Sequence, residues 1–348
     1  MKIAIFTVQV PFISGGAEIH AASLKDELCK RGYQADIVTI PFKWYPPEQI
    51  LDCMFMARLV DLEEVNGEKI DLVITLKFPA YYVKHHNKVG WILHQHRQAY
   101  ELYGTQYGDL HNSQEGRLIT QEIRKWDNKI LREYTKLFAN SETVARRIND
   151  YNGISNVIPL YHPPKNSQRF YCGSFGDYIF YPSRLDQIKR QHLIIEAIAK
   201  MPEELKVVLA GSYDSNYGRL LLEKLSQQGL NDRVVILGPI SEEEKVDLYA
   251  GCLAVYNGVY EEDYGYVTLE AFLSGKPVIT HTDSGGPLEF VKHEINGYII
   301  EPQPDAIREC LYFLAANKSL AKEMGVNAQK TIAEKNISWD YVIERLTS

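Results

Sequence analysis

Two glutamates in the second half of the chain have the spacing of a ligand-binding element. Glu262 lies in a segment that joins a predicted strand to a predicted helix, and Glu270 follows eight residues later, one turn inside that helix, with Gly265 in the turn. Helix-start amides lack partners within the helix and attract anions, so those near Tyr266, Val267 and Thr268 could receive phosphate oxygens. Glu270 could then accept two hydroxyls of a ribose, and Glu262 hydroxyls of a sugar. Ordinary cap or surface charges are the alternative.

Two cations follow the first predicted strand of the second half. Arg184 and Lys189 lie between this strand and the next helix. Cations at the end of a parallel strand can clamp a diphosphate, and arginine suits two-pronged contacts with phosphate. Gly211 and Gly238 end the next two strands, so several glycine turns meet at the same sheet edge. Solvated surface charge is the alternative for either cation, and the position along the chain favours the phosphate site.

The first half carries its polar candidates at two strand ends. Gly15 and Gly16 follow the first strand and open the first helix, where glycine lets the backbone approach a ligand; a tight turn explains them equally well. His94, His96 and Arg97 end a later strand. Two histidines at this spacing could bind a metal ion, but no nearby aspartate or cysteine completes a ligand set. Hydrogen bonding to a substrate is therefore expected of them.

Composition and missing motifs exclude several function classes. The sequence has no GxGxxG or GK[ST] loop, no Asp-x-Asp, no HExxH and no GxSxG, which disfavours dehydrogenases, P-loop enzymes, metal-bridged diphosphate chemistry and serine hydrolases. A net charge of −7 argues against nonspecific nucleic-acid binding. Five scattered cysteines suggest a reducing compartment, and no apolar window reaches the roughly 18 residues of a membrane span. We expect a cytoplasmic protein, with peripheral contact at the inner face of a membrane left open.

The elements that must position these residues alternate between strand and helix from end to end, which predicts parallel sheets covered by helices. At 348 residues the chain is long for one core, so two domains are expected. We predict an α/β protein of two doubly wound, Rossmann-like domains facing a central cleft, with ligands outside the carboxyl ends of the strands. The predicted boundaries are residues 1–160, a linker over 161–176, residues 177–335 and a C-terminal helix over 336–348. The predicted strands of the second half run over residues 178–182, 206–210, 234–237, 253–256, 277–280 and 298–300.

Taken together, these motifs resemble a known enzyme family. Gly15-Gly16-Ala17-Glu18, the Arg184/Lys189 pair, the Glu262-x7-Glu270 element and the Ser274–Val278 stretch are similar to those of the retaining glycosyltransferases of family 4, also called glycosyl transferases group 1, which have the GT-B fold. The resemblance covers essentially the whole chain. It implies transfer, without a cofactor, from a UDP- or GDP-linked sugar to a saccharide or lipid-linked acceptor, with the acceptor on the first domain and the donor on the second. Fixed cations and helix-start amides can stabilise the leaving diphosphate without a metal ion, so we predict metal independence.

The resemblance also implies roles for individual residues. His94, with His96 as the fallback, would contact the transferred sugar. The catalytic set is His94, Glu262, Arg184 and Lys189. The donor-binding set is Gly15, Gly16, Arg184, Lys189, Gly211, Gly238, Tyr264, Gly265, Tyr266, Val267, Thr268 and Glu270. The acceptor-binding set is His96, Arg97 and Tyr100.

One departure from the family and two other functions have to be weighed. Where the family often has Glu-Gly-Phe-Gly, this chain has Glu262-Asp263-Tyr264-Gly265, and the added charge bears on the identity of the donor sugar. A nucleotide-sugar 2-epimerase has the same architecture and would convert the donor without an acceptor. A non-catalytic sugar-nucleotide-binding subunit would bind the donor without converting it.

Overall fold

A computed structural model describes residues 1–13, 15–201 and 205–348. The chain divides into two compact units, the first formed by Met1–Lys165 with Ser338–Ser348 and the second by Asn166–Ile337. The passage from the first unit to the second falls within the stretch predicted as a linker. The C-terminal helix belongs to the first unit, so the chain crosses between the units twice.

Strands and helices alternate along the described residues. The strands are β1 (Lys2–Gln9), β2 (Gln34–Pro41), β3 (Glu64–Val65), β4 (Glu68–Lys69), β5 (Leu72–Thr75), β6 (Lys88–Ile92), β7 (Lys136–Ala139), β8 (Ile158–Pro159), β9 (Tyr178–Pro182), β10 (Lys206–Ala210), β11 (Val234–Ile236), β12 (Ala254–Asn257), β13 (Val278–His281) and β14 (Gly297–Ile300). The helices are α1 (Gly16–Lys30), α2 (Gln49–Leu59), α3 (Gln114–Ile130), α4 (Glu142–Asn152), α5 (Gln191–Ile198), α6 (Asn216–Gln227), α7 (Glu242–Gly251), α8 (Tyr266–Leu273), α9 (Pro304–Ala316), α10 (Lys318–Glu334) and α11 (Trp339–Thr347). None of the helices in the described part of the chain is long and apolar enough to cross a membrane.

The first unit is built on a parallel sheet in the order β2-β1-β5-β6-β7-β8, with β3 and β4 forming a separate antiparallel hairpin. Strand β1 is buried on both faces, because Phe6 belongs to one apolar cluster and Ile5 to another. Strands covered on both sides have continuous apolar runs, which is why β1 was predictable. Helix α11 completes the second of these clusters with Val342, Ile343 and Leu346.

Helices α3 and α4 begin at serine caps. The Ser113 hydroxyl accepts from the Gly116 amide at 2.9 Å, and the Ser141 hydroxyl accepts from the Val144 amide at 3.0 Å. Such caps satisfy donors that the first turn of a helix leaves without partners. The cap at Ser141 agrees with the sequence prediction.

The second unit contains a parallel sheet in the order β11-β10-β9-β12-β13-β14. The chain runs from β9 to one edge, then returns to β12 beside β9 and continues to the other edge. The loops after β9 and β12 therefore diverge at a topological switch point, where open α/β sheets bind ligands. The predicted α/β class, with two doubly wound units, is confirmed.

Candidate functional site

An ion pair joins two loops at the switch point of the second unit. The Lys189 ammonium, in the loop after β9, contacts the carboxylate of Glu262, in the loop after β12. The same loops are joined through their backbones, since the Tyr260 amide donates to the Ile188 carbonyl at 2.9 Å. Two residues that the sequence pattern singled out separately are thus brought together. Arg184 lies in the same loop, with a side chain that is 63% exposed and 3.4 Å from Asp186.

Arg190 was missed by the sequence analysis and holds three loops together. Its guanidinium forms a two-pronged pair with Asp283 at 2.7 and 2.8 Å. It also donates to the carbonyls of Gly258 and Val259 at 2.8 Å each. These contacts join the loops after β9, β12 and β13, and a buried arginine is stable only with such partners. The only sequence signal was its position directly after Lys189.

The backbone around Glu262 is fixed as if it were part of the sheet. The Glu262 amide donates to the Ser284 carbonyl at 2.8 Å, and the Gly286 amide donates to the Glu262 carbonyl at 2.8 Å. A Cβ at Gly285 would come within 2.5 Å of that carbonyl oxygen, so the close pairing requires glycine there. The carboxylate of Glu262 is therefore presented from a rigid base.

Helix α8 begins at Tyr266, directly after the cap residue Gly265, whose φ of 98° suits glycine. The amides of Tyr266 and Val267 lie in the first turn, as expected for phosphate binding. Thr268 differs from the expectation, because its amide donates to the Gly265 carbonyl at 3.0 Å and its hydroxyl accepts from Asn257 at 3.1 Å. Tyr264 is buried, with its ring 6.0 Å from that of Phe290. Tyr264 and Thr268 thus stabilise the turn through internal packing and hydrogen bonds.

Glu270 is buried and held by two side chains of α7. Lys245 donates to one carboxylate oxygen at 3.0 Å, and the Tyr249 hydroxyl donates to the other at 2.8 Å. Burial raises the pKa of Glu270, while Lys245 opposes that shift. A carboxylate has about four acceptor positions, so these two bonds leave capacity for ribose hydroxyls. Neither Lys245 nor Tyr249 was predicted, because only the folded chain brings α7 beside α8.

The predicted glycine turns meet at the ends of β9, β10 and β11. The Gly211 amide donates to the Gly238 carbonyl at 2.8 Å. A Cβ at Gly211 would lie 2.4 Å from the Ser183 carbonyl oxygen and 2.6 Å from the Arg184 nitrogen. Gly211 therefore lets the loop that carries Arg184 pass close to the end of β10.

In the first unit, the two histidines after β6 have different environments. Nδ1 of His94 lies 2.8 Å from the carbonyl oxygen of Gln95. His96 is buried, with ring centroids 5.1 Å from Phe78 and 6.1 Å from Phe42, and burial lowers its pKa to about 3. His96 is thus a neutral core residue in this structure, which favours His94 as the histidine that can meet a substrate.

The other residues expected to bind an acceptor are also engaged within the first unit. Arg97 donates to Glu101 at 2.7 Å. Tyr100 is only 3% exposed, and its hydroxyl donates to the buried Asp127 at 2.8 Å. The expectation that Tyr100 touches an acceptor is corrected accordingly, because the side chain lies in the interior and can act only through packing and hydrogen bonding.

The glycine turn after β1 is organised by Glu18. The Gly15 amide donates to one Glu18 oxygen at 2.8 Å, which caps α1, and Gly16 is the first residue of that helix. Lys77, directly beyond β5, donates to the other oxygen at 2.9 Å. Strands β1 and β5 flank the switch point of this sheet, so the turn and a buried lysine meet where a ligand would be expected.

A group of metal-ligand side chains lies elsewhere in the first unit. Among the described residues, Glu63, His85 and His86 bring ligand atoms within 4.8 Å of one another. The two histidines precede β6, at the amino end of that strand. His85 has Nδ1 2.7 Å from the Asn87 oxygen and Nε2 3.2 Å from the Ile70 oxygen. Its ring nitrogens are therefore occupied by backbone groups rather than directed at an ion.

Comparison with known proteins decides the class. Residues 175–331, most of the second unit, match the family model described as glycosyl transferases group 1. The chain is 28% identical to an uncharacterized glycosyltransferase of Methanocaldococcus jannaschii, over 98% of this chain and 96% of that one. The chain is a glycosyltransferase. This confirms the resemblance inferred from the sequence motifs.

Solved structures agree with the transferase in fold. A sucrose-phosphate synthase from Thermosynechococcus elongatus matches with a TM-score of 0.79 at 17% identity, covering 99% of this chain and 96% of that one. The Anabaena protein HepE in complex with UDP-glucose matches with a TM-score of 0.73 at 17% identity, covering 99% and 98%. At these identities the likeness shows the shared GT-B fold.

Proposed function

We propose that this transferase moves a sugar, with retention of configuration and without a metal ion, from a UDP- or GDP-linked donor to a saccharide or lipid-linked acceptor. The observation that carries the proposal is the Lys189–Glu262 pair, held at the switch point of the second unit. In this pair, a cation that we assign to phosphate and a carboxylate that we assign to sugar hydroxyls lie side by side. The complex of HepE with UDP-glucose supports a uridine donor among the alternatives.

The leaving nucleoside diphosphate sets the main chemical demand. Negative charge develops on the phosphate as the bond between the anomeric carbon and the phosphate oxygen breaks, and fixed cations stabilise that charge best. Arg184 and Lys189 are assigned to the diphosphate, together with the helix-start amides of Tyr266 and Val267. These positive groups take the part that a metal ion has in other transferases, which is the basis for proposing metal independence.

The two glutamates bind the two sugar rings of the donor, which are the ribose and the transferred sugar. Glu270, oriented by Lys245 and Tyr249, is assigned to the ribose hydroxyls. Glu262 is assigned to the hydroxyls of the transferred sugar, and Asp263 beside it to the choice of that sugar. Retention then follows from a same-face substitution through an oxocarbenium-like state, in which the leaving phosphate takes the acceptor proton. This route needs no second carboxylate across the scissile bond, unlike glycoside hydrolysis.

The acceptor is assigned to the first unit. His94, whose Nδ1 donates to a carbonyl, carries the in-plane lone pair of its neutral ring on Nε2 and can accept a hydrogen bond from a sugar hydroxyl there. Arg97 follows in the same loop and is assigned to polar groups of the acceptor. Whether that acceptor is a free or a lipid-linked saccharide is for the experiment to decide.

A nucleotide panel tests the proposal. We would measure the thermal shift and calorimetric affinity of UDP, GDP, ADP and dTDP with the wild type, Glu270→Gln and the control Glu309→Gln, which alters an exposed glutamate on α9. Selective binding of one diphosphate, weakened only in Glu270→Gln, is expected. Incubation with the matching sugar nucleotide alone then separates the alternatives, because an epimerase would form a new sugar nucleotide. Binding with no turnover on any acceptor would favour a non-catalytic subunit.

A further inference from the structure

A buried carboxylate of the first unit lies outside every role assigned so far. Asp127, on α3, is fully buried and accepts four hydrogen bonds from the described residues. The Tyr82 hydroxyl donates to Oδ1 at 2.7 Å. Oδ2 accepts from the Tyr100 hydroxyl at 2.8 Å and from the Tyr81 hydroxyl and the Gln95 amide at 3.0 Å each. These four partners are neutral, so the carboxylate is held by hydrogen bonds rather than by an ion pair.

The four donors come from two loops at one edge of the sheet. Tyr81 and Tyr82 follow β5, while Gln95 and Tyr100 follow β6. These strands are neighbours, and the loops lie at their carboxyl ends, which is the ligand-binding edge of such a sheet. Helix α3 also holds the second loop through Arg124, which donates to the Ala99 carbonyl at 2.8 Å. Asp127 therefore joins both loops to one rigid helix.

Gln95 connects this network to His94. Its side-chain nitrogen donates to Asp127 and to the Asn152 oxygen, both at 3.0 Å, so both amide hydrogens are occupied. The backbone carbonyl oxygen of Gln95 lies 2.8 Å from Nδ1 of His94. Since a carbonyl can only accept, Nδ1 of His94 must carry a proton. The orientation of one peptide group thus sets the tautomer of the neighbouring histidine.

We propose that Asp127 is a positioning residue for sugar transfer, which acts through Gln95 to fix the orientation and the Nδ1–H tautomer of His94. The inference rests on the proposed function in one respect, namely the role of His94 toward the sugar. A carboxylate suits this position because one oxygen can collect three donors. Burial without a cation is unfavourable for a carboxylate, so its four hydrogen bonds are needed to keep it in place.

Four variants separate positioning from simple stability. Gln95→Met removes both amide donors while keeping side-chain length, and Asp127→Ala removes the acceptor. Asp127→Asn keeps an oxygen for the Oδ2 position, with its amide donating to the Tyr82 hydroxyl, and serves as the conservative rescue. Tyr134→Phe is the control, because this buried hydroxyl bonds to Thr75 and the Tyr81 carbonyl at 2.8 Å each and not to Gln95.

The primary measurement is the nitrogen spectrum of the His94 ring by long-range proton–nitrogen NMR, assigned with His94→Gln. We expect a protonated Nδ1 in the wild type, Asp127→Asn and Tyr134→Phe, and a mixed tautomer in Gln95→Met and Asp127→Ala. Turnover should fall by about tenfold to a hundredfold in the last two, as for small misplacements of a reacting group. UDP affinity should stay within about twofold in all of them.

The outcomes are distinct. The inference would be overturned if the nitrogen spectrum of the His94 ring were unchanged in folded Gln95→Met. It would also be overturned if Tyr134→Phe changed that spectrum equally. If Asp127→Ala does not fold, Gln95→Met and Asp127→Asn still decide the question. A wild type that transfers no sugar would contradict the proposed function instead, and the NMR result would continue to show whether Asp127 positions His94.

Discussion

Lys189 and Glu262 lie 73 residues apart in sequence and form an ion pair at the switch point of the second sheet. Their side chains are 20% and 25% exposed, so both can be reached by a ligand. A phosphate would compete with Glu262 for the ammonium, and a sugar would compete with Lys189 for the carboxylate. The pair therefore keeps two donor-binding groups ordered before the donor arrives.

Glu262→Gln should separate nucleotide binding from transfer. The amide keeps the length of the side chain but loses the charge that binds sugar hydroxyls as the transition state forms. We expect turnover to fall by about a hundredfold, and UDP affinity to change by less than about threefold. Calorimetry with UDP and initial rates of sugar transfer would measure both, with Glu309→Gln as the control. A mutant with wild-type turnover would remove Glu262 from the catalytic set.

Arg184→Ala should weaken the contact with the diphosphate. A charge-assisted hydrogen bond contributes about 1.5–3 kcal/mol, so UDP affinity should fall by about tenfold to a hundredfold. Uridine has no phosphate, and its affinity should change little. The control is Arg308→Ala, which removes a surface arginine 2.9 Å from Asp305. Equal losses for UDP and uridine would contradict the assignment of Arg184 to phosphate.

Gly211→Ala should be more destabilising than Gly229→Ala, although both glycines have a positive φ, of 149° and 63°. A Cβ at Gly229 has no heavy atom within 4 Å, whereas at Gly211 it would meet the Ser183 oxygen at 2.4 Å. The conformational cost is about 1 kcal/mol at Gly229, and overpacking adds about 1–3 kcal/mol at Gly211. Urea unfolding would measure the free energies. Equal losses would show that the close approach is relieved without cost.

The sheet of the second unit could be predicted because its inner strands β9, β12 and β13 are mostly buried and have continuous apolar runs. The predicted ranges 178–182 and 206–210 coincide with β9 and β10. Helix α2 was not predicted, since Phe55 and Leu59 are exposed apolar residues that obscure its amphipathic pattern. The hairpin of β3 and β4 and the short β8 have two residues per strand, too few for a periodic signal.

The candidate site was predictable where its residues follow strands in a recognisable order. Glu262, Arg184 and Lys189 follow strands, and Glu270 has a recognisable spacing from Glu262. Lys245 and Asp127 lie on helices without such a motif, and each reaches its partners only after folding. Burial likewise could not be deduced for His96, which is two residues from His94 yet belongs to the core.

Removal of metal ions should leave transfer intact. In the proposed mechanism, Arg184, Lys189 and the helix-start amides stabilise the leaving diphosphate, so EDTA should lower the initial rate by less than about twofold. The measurement is the rate of sugar transfer before and after chelation, with and without added Mg²⁺ or Mn²⁺. Complete loss of activity that either ion restores would contradict the metal-free mechanism.

Asp127 should leave a signature in the pH dependence of stability. Burial raises its pKa from 3.8 to about 6, although the bonds from Tyr82, Tyr100, Tyr81 and Gln95 oppose the shift. The folded chain then binds this proton more tightly than the unfolded chain. The resulting stabilisation is complete below pH 3.8 and is lost as the pH rises through 6, a change of about 3 kcal/mol.

The test is the difference in unfolding free energy between the wild type and Asp127→Asn from pH 4 to pH 7, since this difference cancels contributions that both proteins share, such as that of His96. The wild type should lose stability relative to the variant as the pH rises. Asp36→Asn is the control without a trend in this range, because Lys25 lowers the pKa of Asp36 from its ordinary value of 3.8, so its contribution is lost only at more acidic pH. A difference that does not vary with pH for Asp127→Asn would show that this carboxyl has an ordinary pKa.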